Sequence, residues 1–281
     1  MSRVAIVTDS ASDLPAERAA AAGVIVVPLL VTFGEREFSA GVDMSYEDFW
    51  RELTAPGAPF PKTAAAAPGA FKDAFDGLFA QGYDEIVCVN VGSKLSATMG
   101  SAKIARAMLP DRAIHVFDSE SATLGQGLLV LLAAQRAREG KSGAEIVAEL
   151  ERRKHTLSLY LALETLEYLK RGGRISPARA AIGNVLSVKP IITIEDGVVE
   201  TADKPRTRGK ARARLLELLN TSSPEMIAVM HGQAEDIGEF ADELAKLTKF
   251  PRDQVGIYLI GPSVGPHTGP GVYGAVILPK G

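Results

Sequence analysis

The sequence predicts an α/β fold of two domains. An N-terminal Rossmann-like domain on a parallel sheet takes residues 1–160, and a C-terminal α/β domain with a mixed sheet takes residues 161–281. Three observations predict it. The chain opens strand–helix–strand, with the apolar, β-branched runs Val4–Val7 and Val24–Val31 on either side of an alanine-rich helical stretch. Another such run, Ile86–Val91, passes through a polar turn into a helix over Ser101–Leu109. Past about Leu161 the character changes: Val188–Glu195 and Val198–Ala202 meet at Asp196-Gly197, the strongest short hairpin signal, so antiparallel pairing enters only in the second half.

Asp13 is placed to cap the first helix, with Pro15 in its first turn and Gly23 just past its end. Asp9 and Ser10 follow the first strand, and open α/β sheets bind ligands at the carboxyl ends of their strands. Both are therefore candidate site residues, with turn formation as the equally weighted reading of Asp9. Phe38–Asp43 reads as a short extended piece. Ser45-Tyr-Glu-Asp48 is a capping box with Asp in place of the usual Glu, opening a helix through Phe49 and Trp50. The loop Ala55–Pro61, with three prolines, leads through Lys62 and Thr63 to a helix from Pro68 with Phe71, Phe75, Leu78 and Phe79 on one face. Ala113–Phe117 is a strand. Ser121–Arg138 is a long helix striped with Leu124, Leu128, Leu131 and Leu132, whose glycine-rich start, Thr123–Gly127, predicts close packing, with space for a ligand as the lesser reading. Gly143–Lys154 is an amphipathic helix.

In the second half, Glu164–Arg171 is helical and is stopped by Gly172-Gly173. Thr207–Leu219, with a basic start, and Glu235–Leu247 are helices. Met226–Met230, Val255–Ile260 and Tyr273–Leu278 are strands.

Composition narrows the function classes. A net charge of -3 over 281 residues carries no basic surplus and argues against nucleic acid as a partner. No membrane-length apolar run and no signal pattern is present, so the expectation is a cytoplasmic protein with no integral membrane association. Cys88 is the single cysteine and has no intrachain partner, which fits a reducing compartment.

Two polar stretches carry chemistry. Gly92-Ser-Lys-Leu-Ser-Ala-Thr98 joins a buried strand to a helix start, where unpaired N–H groups and the helix dipole collect an anion. Ser96 and Thr98 add neutral donors, and the competing reading of Ser96 is a plain N-cap. Gly261–Gly271 is dense in Gly and Pro and projects His267 and Thr268 from a stiff loop. No metal-ligand spacing, phosphate loop, dinucleotide fingerprint or nucleophile elbow appears, so no metal and no cofactor are expected.

The sequence resembles the DegV family, the fatty-acid-binding, acyl-carrying subunits of bacterial fatty acid kinase. The resemblance rests on Val7-Thr-Asp-Ser-Ala-Ser-Asp-Leu14, Lys62-Thr63, Leu95-Ser-Ala-Thr98, Asp118-Ser119, Thr165–Ser176, Val188-Lys-Pro-Ile191, and Ile260-Gly-Pro through His267-Thr-Gly-Pro-Gly271, in order along nearly the whole chain. It implies that Thr63 and Ser96 hold a fatty acid carboxylate, with His267 and Arg174 in the surrounding network. Asp9, Ser10, Ala97, Thr98 and Thr268 would support them. Basic residues near Arg206 would help a partner kinase dock. The implied function is to bind a long-chain fatty acid in an apolar tunnel and present its carboxylate to an ATP-dependent kinase subunit, giving acyl phosphate. The protein would then be no enzyme itself.

The chain departs from the family pattern at three places. Thr63-Ala64-Ala65-Ala66 stands for the usual Thr-Ser-Gln-Pro, Ala97 replaces the glycine of Leu-Ser-Gly-Thr, and Gly92 lacks a hydroxyl. The physics of the implied tunnel is sound. Burying about fourteen methylenes gains on the order of 11 kcal/mol before ordering costs, whereas a carboxylate buried without partners costs several kcal/mol. Two other readings remain at this stage. One is an acyl or phosphoryl transfer enzyme with Ser96 as nucleophile and His267 as base; the other is a regulatory module sensing a small anion.

Overall fold

Strands β1 (Val4–Asp9), β2 (Val24–Val27), β6 (Glu85–Asn90) and β7 (Ala113–Asp118) form an all-parallel sheet in the order β2-β1-β6-β7. The computed structural model describes residues 2–175, 188–220 and 223–281. Ser176, which ends one motif of the resemblance, lies outside the described residues. Period-two alternation divides the inner strands between two layers. Ala5, Val7, Ile86 and Cys88 pack with Phe71, Phe75 and Leu78 of helix α3 (Pro68–Ala80) and Ala102 and Ala105 of α4 (Thr98–Ala107). Val4, Ile6, Val87 and Val89 face the other way, onto α5 (Thr123–Arg138).

A second, mixed sheet has six strands in the order β10-β9-β8-β13-β11-β12. These are β8 (Ser158–Ala162), β9 (Ile191–Glu195), β10 (Val198–Asp203), β11 (Pro224–His231), β12 (Gly256–Leu259) and β13 (Tyr273–Pro279). Only β11 and β12 pair in parallel. Asp196 and Gly197 both take positive φ, 48° and 74°, as the tight β9–β10 turn requires. One face of this sheet is covered by α8 (Arg208–Leu218) and α9 (Ile237–Thr248) through Ala211, Leu215, Phe240 and Leu244. Its other face shares a core with α5 and the parallel sheet.

Helix α5 therefore lies between two sheets. Thr123 to Ala134 are all buried, where the sequence suggested a single leucine stripe. A helix enclosed on every side can be apolar all round. Its glycines are spaces for neighbours: a Cβ on Gly127 would lie 2.7 Å from the Ser12 carbonyl oxygen, and one on Gly125 2.7 Å from Leu159 Cδ1.

Four sequence expectations need correction. Val24–Val31 is two strands, because Pro28 has no N–H for a ladder. The chain leaves the parallel sheet there and enters a small antiparallel sheet, β4-β3-β5, of β3 (Leu30–Phe33), β4 (Arg36–Ser39) and β5 (Lys62–Ala64). The piece expected at Phe38–Asp43 is thus β4, shifted toward the N-terminus by the Gly34 turn. Asp13 does not cap α1 (Ala16–Ala22), which starts after Pro15 without a side-chain cap. Its φ is 51° and its side chain turns inward. Lastly, Gly261–Gly271 is not all loop, since Gly265–Thr268 closes one helical turn.

Among the described residues the other α-helices are α2 (Tyr46–Leu53), α6 (Gly143–Arg153), α7 (Glu167–Arg171) and that turn, α10 (Gly265–Thr268). Ser45 Oγ accepts the Asp48 N–H at 3.0 Å, the half of the capping box that fixes the start of α2.

Candidate functional site

A narrow cavity of about 80 Å³ opens where the parallel sheet's turns meet the mixed sheet. Its walls are mostly apolar. Leu159 and Leu161 of β8, Ile192 and Ile194 of β9 and Val199 of β10 all face it. The i, i+2 spacing puts each strand's pair on the same face. Thr63, Ser96, Arg174 and His267 line the same cavity, with Thr123, Ser263 and Thr268 as its other polar residues.

Each arrives on a different element. Thr63 sits on β5, paired with Val31 of β3. Ser96 lies in the turn between β6 and α4, two residues ahead of the helix. The N-cap position of α4 is Ala97, which offers no side-chain bond, so the plain N-cap reading of Ser96 does not describe this turn. Ser96 Oγ instead pairs with Thr98 Oγ1 at 2.8 Å and accepts the Thr98 N–H at 3.3 Å. Arg174 follows α7. Its Nε donates to the Leu95 carbonyl at 3.1 Å and its NH1 group to the Gly172 carbonyl at 2.6 Å, which ties it to the Ser96 turn.

His267 is carried by α10, and its Nε2 lies 3.0 Å from Thr63 Oγ1. One edge of the ring thus meets the cavity while Nδ1 is enclosed with no hydrogen-bond partner. The enclosure is tight: a Cβ on Gly172 would lie 2.2 Å from Nδ1. Burial, aided by the Arg174 guanidinium, pushes the imidazole down to about 3, so it is neutral at physiological pH. Burial also holds Arg174 below the ordinary guanidinium range. An unpaired buried donor is costlier than an unpaired buried acceptor. We therefore assign the proton to Nε2, which donates to Thr63 Oγ1 and leaves the threonine O–H free for an acceptor in the cavity.

The other sequence candidates divide. Thr268 lines the cavity. Ser10 is one bond behind it, with Oγ 2.7 Å from the Oγ of cavity-lining Ser263 and accepting the Leu29 N–H at 2.8 Å. Thr98 stands behind Ser96. Ala97 is exposed and lies off the cavity wall. Asp9 is wholly buried and off the cavity wall: its carboxylate accepts from Ala11 N, Asn90 Nδ2 and Val91 N, which closes the turns after β1 and β6. Arg206 is exposed ahead of α8.

A Cβ at Gly92 would lie 3.2 Å from the backbone of Glu120 and Ser121, so a side chain there would need that backbone to give by a few tenths of an ångström. Sequence reading missed Ser263, Thr123 and the apolar wall of β8–β10. The alternation Leu159/Leu161 and Ile192/Ile194 was the available signal for the wall. Among the described residues, Glu120, His155 and Asp196 bring three potential ligand atoms within 4.8 Å of one another, a juxtaposition of distant segments. Lys154 Nζ already sits 2.7 Å from Glu120 Oε1, which opposes a second cation there.

Comparison with known proteins agrees with this architecture. A family model described as an uncharacterised protein of the DegV family matches residues 3–280. A DegV domain-containing protein of Caldanaerobacter subterraneus subsp. tengcongensis is 34% identical, with 100% of each chain covered. A DegV family protein from Thermus thermophilus, described with fatty acid binding, superposes with a TM-score of 0.89 at 31% identity, covering 99% of this chain and 100% of that one. A stearic acid-binding protein from Eubacterium ventriosum gives 0.87 at 30% identity, covering 99% and 98%. With the family model spanning almost every residue and the same fold in its solved members, this chain belongs to the DegV family.

Proposed function

We propose that this protein binds a long-chain fatty acid and presents its carboxylate to an ATP-dependent kinase subunit, which converts it to acyl phosphate. Residues 1–160 supply the turns around the head group, and 161–281 complete the apolar tunnel. The observation that carries the reading is the His267 Nε2–Thr63 Oγ1 pair, lining with Ser96 and Arg174 a cavity whose walls are mostly apolar. Thr63 and Ser96 would donate hydroxyl protons to the carboxylate, and Arg174 would balance its charge. A carboxylate held this way has partners for its lone pairs, while the tail gains from leaving water. The kinase brings the nucleotide, and exposed Arg206 is the proposed docking contact. Among the described residues no helix is long and apolar enough to cross a membrane, and the cytoplasm is the proposed location.

The transfer-enzyme reading gets less support. It needs Ser96 Oγ within reach of the His267 base, with a third group orienting the ring. Here the imidazole pairs with Thr63, Ser96 pairs with Thr98, and Nδ1 has no partner.

Native mass spectrometry of the purified protein tests the proposal. A fatty acid is expected to co-purify with the natural chain and to be depleted in Thr63→Val/Ser96→Ala. Each charge-assisted bond removed costs about 1.5–3 kcal/mol, so palmitate affinity in the double variant should fall roughly 100-fold or more with the fold intact. A natural chain free of lipid and indifferent to added palmitate would defeat the proposal.

A further inference from the structure

Asp13 is a buried titratable group that the proposed head-group contacts leave unused. Its side chain is enclosed, and its backbone takes the left-handed φ that Asp tolerates better than most residues. Oδ1 accepts the Gly261 N–H at 3.0 Å, while Oδ2 is buried with no hydrogen-bond partner. Gly261 begins the segment that runs through cavity-lining Ser263 into α10 and His267.

On another side stands Thr123, the first residue of α5. Thr123 is β-branched yet has φ = 48°, a strained conformation, and it lines the cavity. Its hydroxyl faces Asp13 and donates to Met230 Sδ at 3.4 Å, which leaves a lone pair on Oγ1 to accept a proton. Tyr46 of α2 closes the enclosure, since a Cβ on Gly261 would lie 2.6 Å from Tyr46 Cζ and 2.9 Å from Asp13 Oδ1. The charged and titratable groups that bear on Asp13 are Asp9 on its own segment and Tyr46 on α2. Among the described residues no cation pairs with it.

We propose that Asp13, as a carboxylic acid, is a positioning residue for the head-group site. It holds the His267-bearing segment through Gly261 N and the strained cavity wall through a hydrogen bond from its own O–H to Thr123 Oγ1. This rests on the fatty-acid reading above. Burial lifts the carboxyl to about 7, outweighing the Thr123 hydroxyl and the Gly261 N–H, which favour the charged form, while the nearby Asp9 adds a smaller push upward. The acid form therefore prevails below neutrality and gives way above it. Losing the proton to solvent strands a negative charge that two neighbours, Asp9 and Tyr46, do nothing to neutralise, and the wall and the His267 segment must shift to hydrate it.

The test measures palmitate affinity of the full-length protein from pH 6 to 8.5 for the natural chain, Asp13→Asn and Asp13→Ala, with circular dichroism as the fold check. Asparagine reproduces both bonds of the acid form: Oδ1 for Gly261 N, and an N–H for Thr123. Affinity of the natural chain should fall at least threefold more than that of Asp13→Asn across this range. Asp13→Ala, which orphans Gly261 N, should bind more weakly than Asp13→Asn at every pH. The titration of palmitate itself is common to all three proteins, and His267 titrates far below the range. Parallel pH profiles for the natural chain and Asp13→Asn would overturn the inference while leaving the fatty-acid reading standing. Absence of palmitate binding at any pH would instead overturn that reading, and this inference with it.

Discussion

At the scale of single residues, two buried titratable groups pull stability in opposite directions with pH. His267, pushed down to about 3, stays neutral in the fold but would take a proton below about 6.5 in the unfolded chain. Its contribution is present at neutral pH and is lost as pH falls toward 3. Asp13, lifted to about 7, keeps its proton in the fold while the unfolded carboxyl loses it near 3.9. Its contribution is complete in acid and is lost as pH rises through 7. Replacing Asp13 by Asn removes only the second effect. Asp13→Asn should therefore melt higher than the natural chain at pH 8.5, by about 3 °C or more, with the gap narrowing as pH falls to 5. Melting curves that stay equally spaced at both pH values would contradict this assignment.

At the scale of elements, α5 is the piece whose surroundings decide its sequence. It touches the parallel sheet on one side and β11 and β13 of the mixed sheet on another. Gly127 lets it approach the Ser10–Ser12 turn, with the space of a Cβ already taken 2.7 Å from the Ser12 carbonyl oxygen. That neighbour is backbone and cannot swing aside. Gly127→Ala should destabilise by about 1–3 kcal/mol despite alanine's better helix propensity. Urea denaturation would show the midpoint falling, and an unchanged or raised midpoint would mean that the turn yields freely. Because that turn carries Ser10, the strain would reach Ser263 and the cavity.

At the scale of the molecule, the two sheets play different parts. The parallel sheet ends in the turn that carries Ser96 and, beside β5 with Thr63, gathers polar groups; the mixed sheet turns an apolar face toward them. That division makes a chain-length series informative. If the tail lies along the β8–β10 face, each added methylene should contribute about 0.8 kcal/mol, roughly fourfold in affinity, until the wall is used up. Titrations with saturated acids of increasing length check it. A flat series would mean that the head group binds without its tail.

The sequence alone determined most strands and helices and the hairpin, because hydrophobic period, glycine stops and the Asp196-Gly197 turn act over neighbouring residues; the break at Pro28, strand β5 and the turn at 265–268 came only with the structure. It also marked Thr63, Ser96, Arg174 and His267, through motifs shared with a family, and these four line one cavity. Only the tertiary structure decided what surrounds them. Asp13 reads locally as a helix cap, yet it holds Gly261, 248 residues away. Ser10 meets Ser263, and His267 meets Thr63 across 204 residues. Such pairings depend on how the sheets and α5 stack, and that is settled by burying both sheet faces together, which no local pattern encodes.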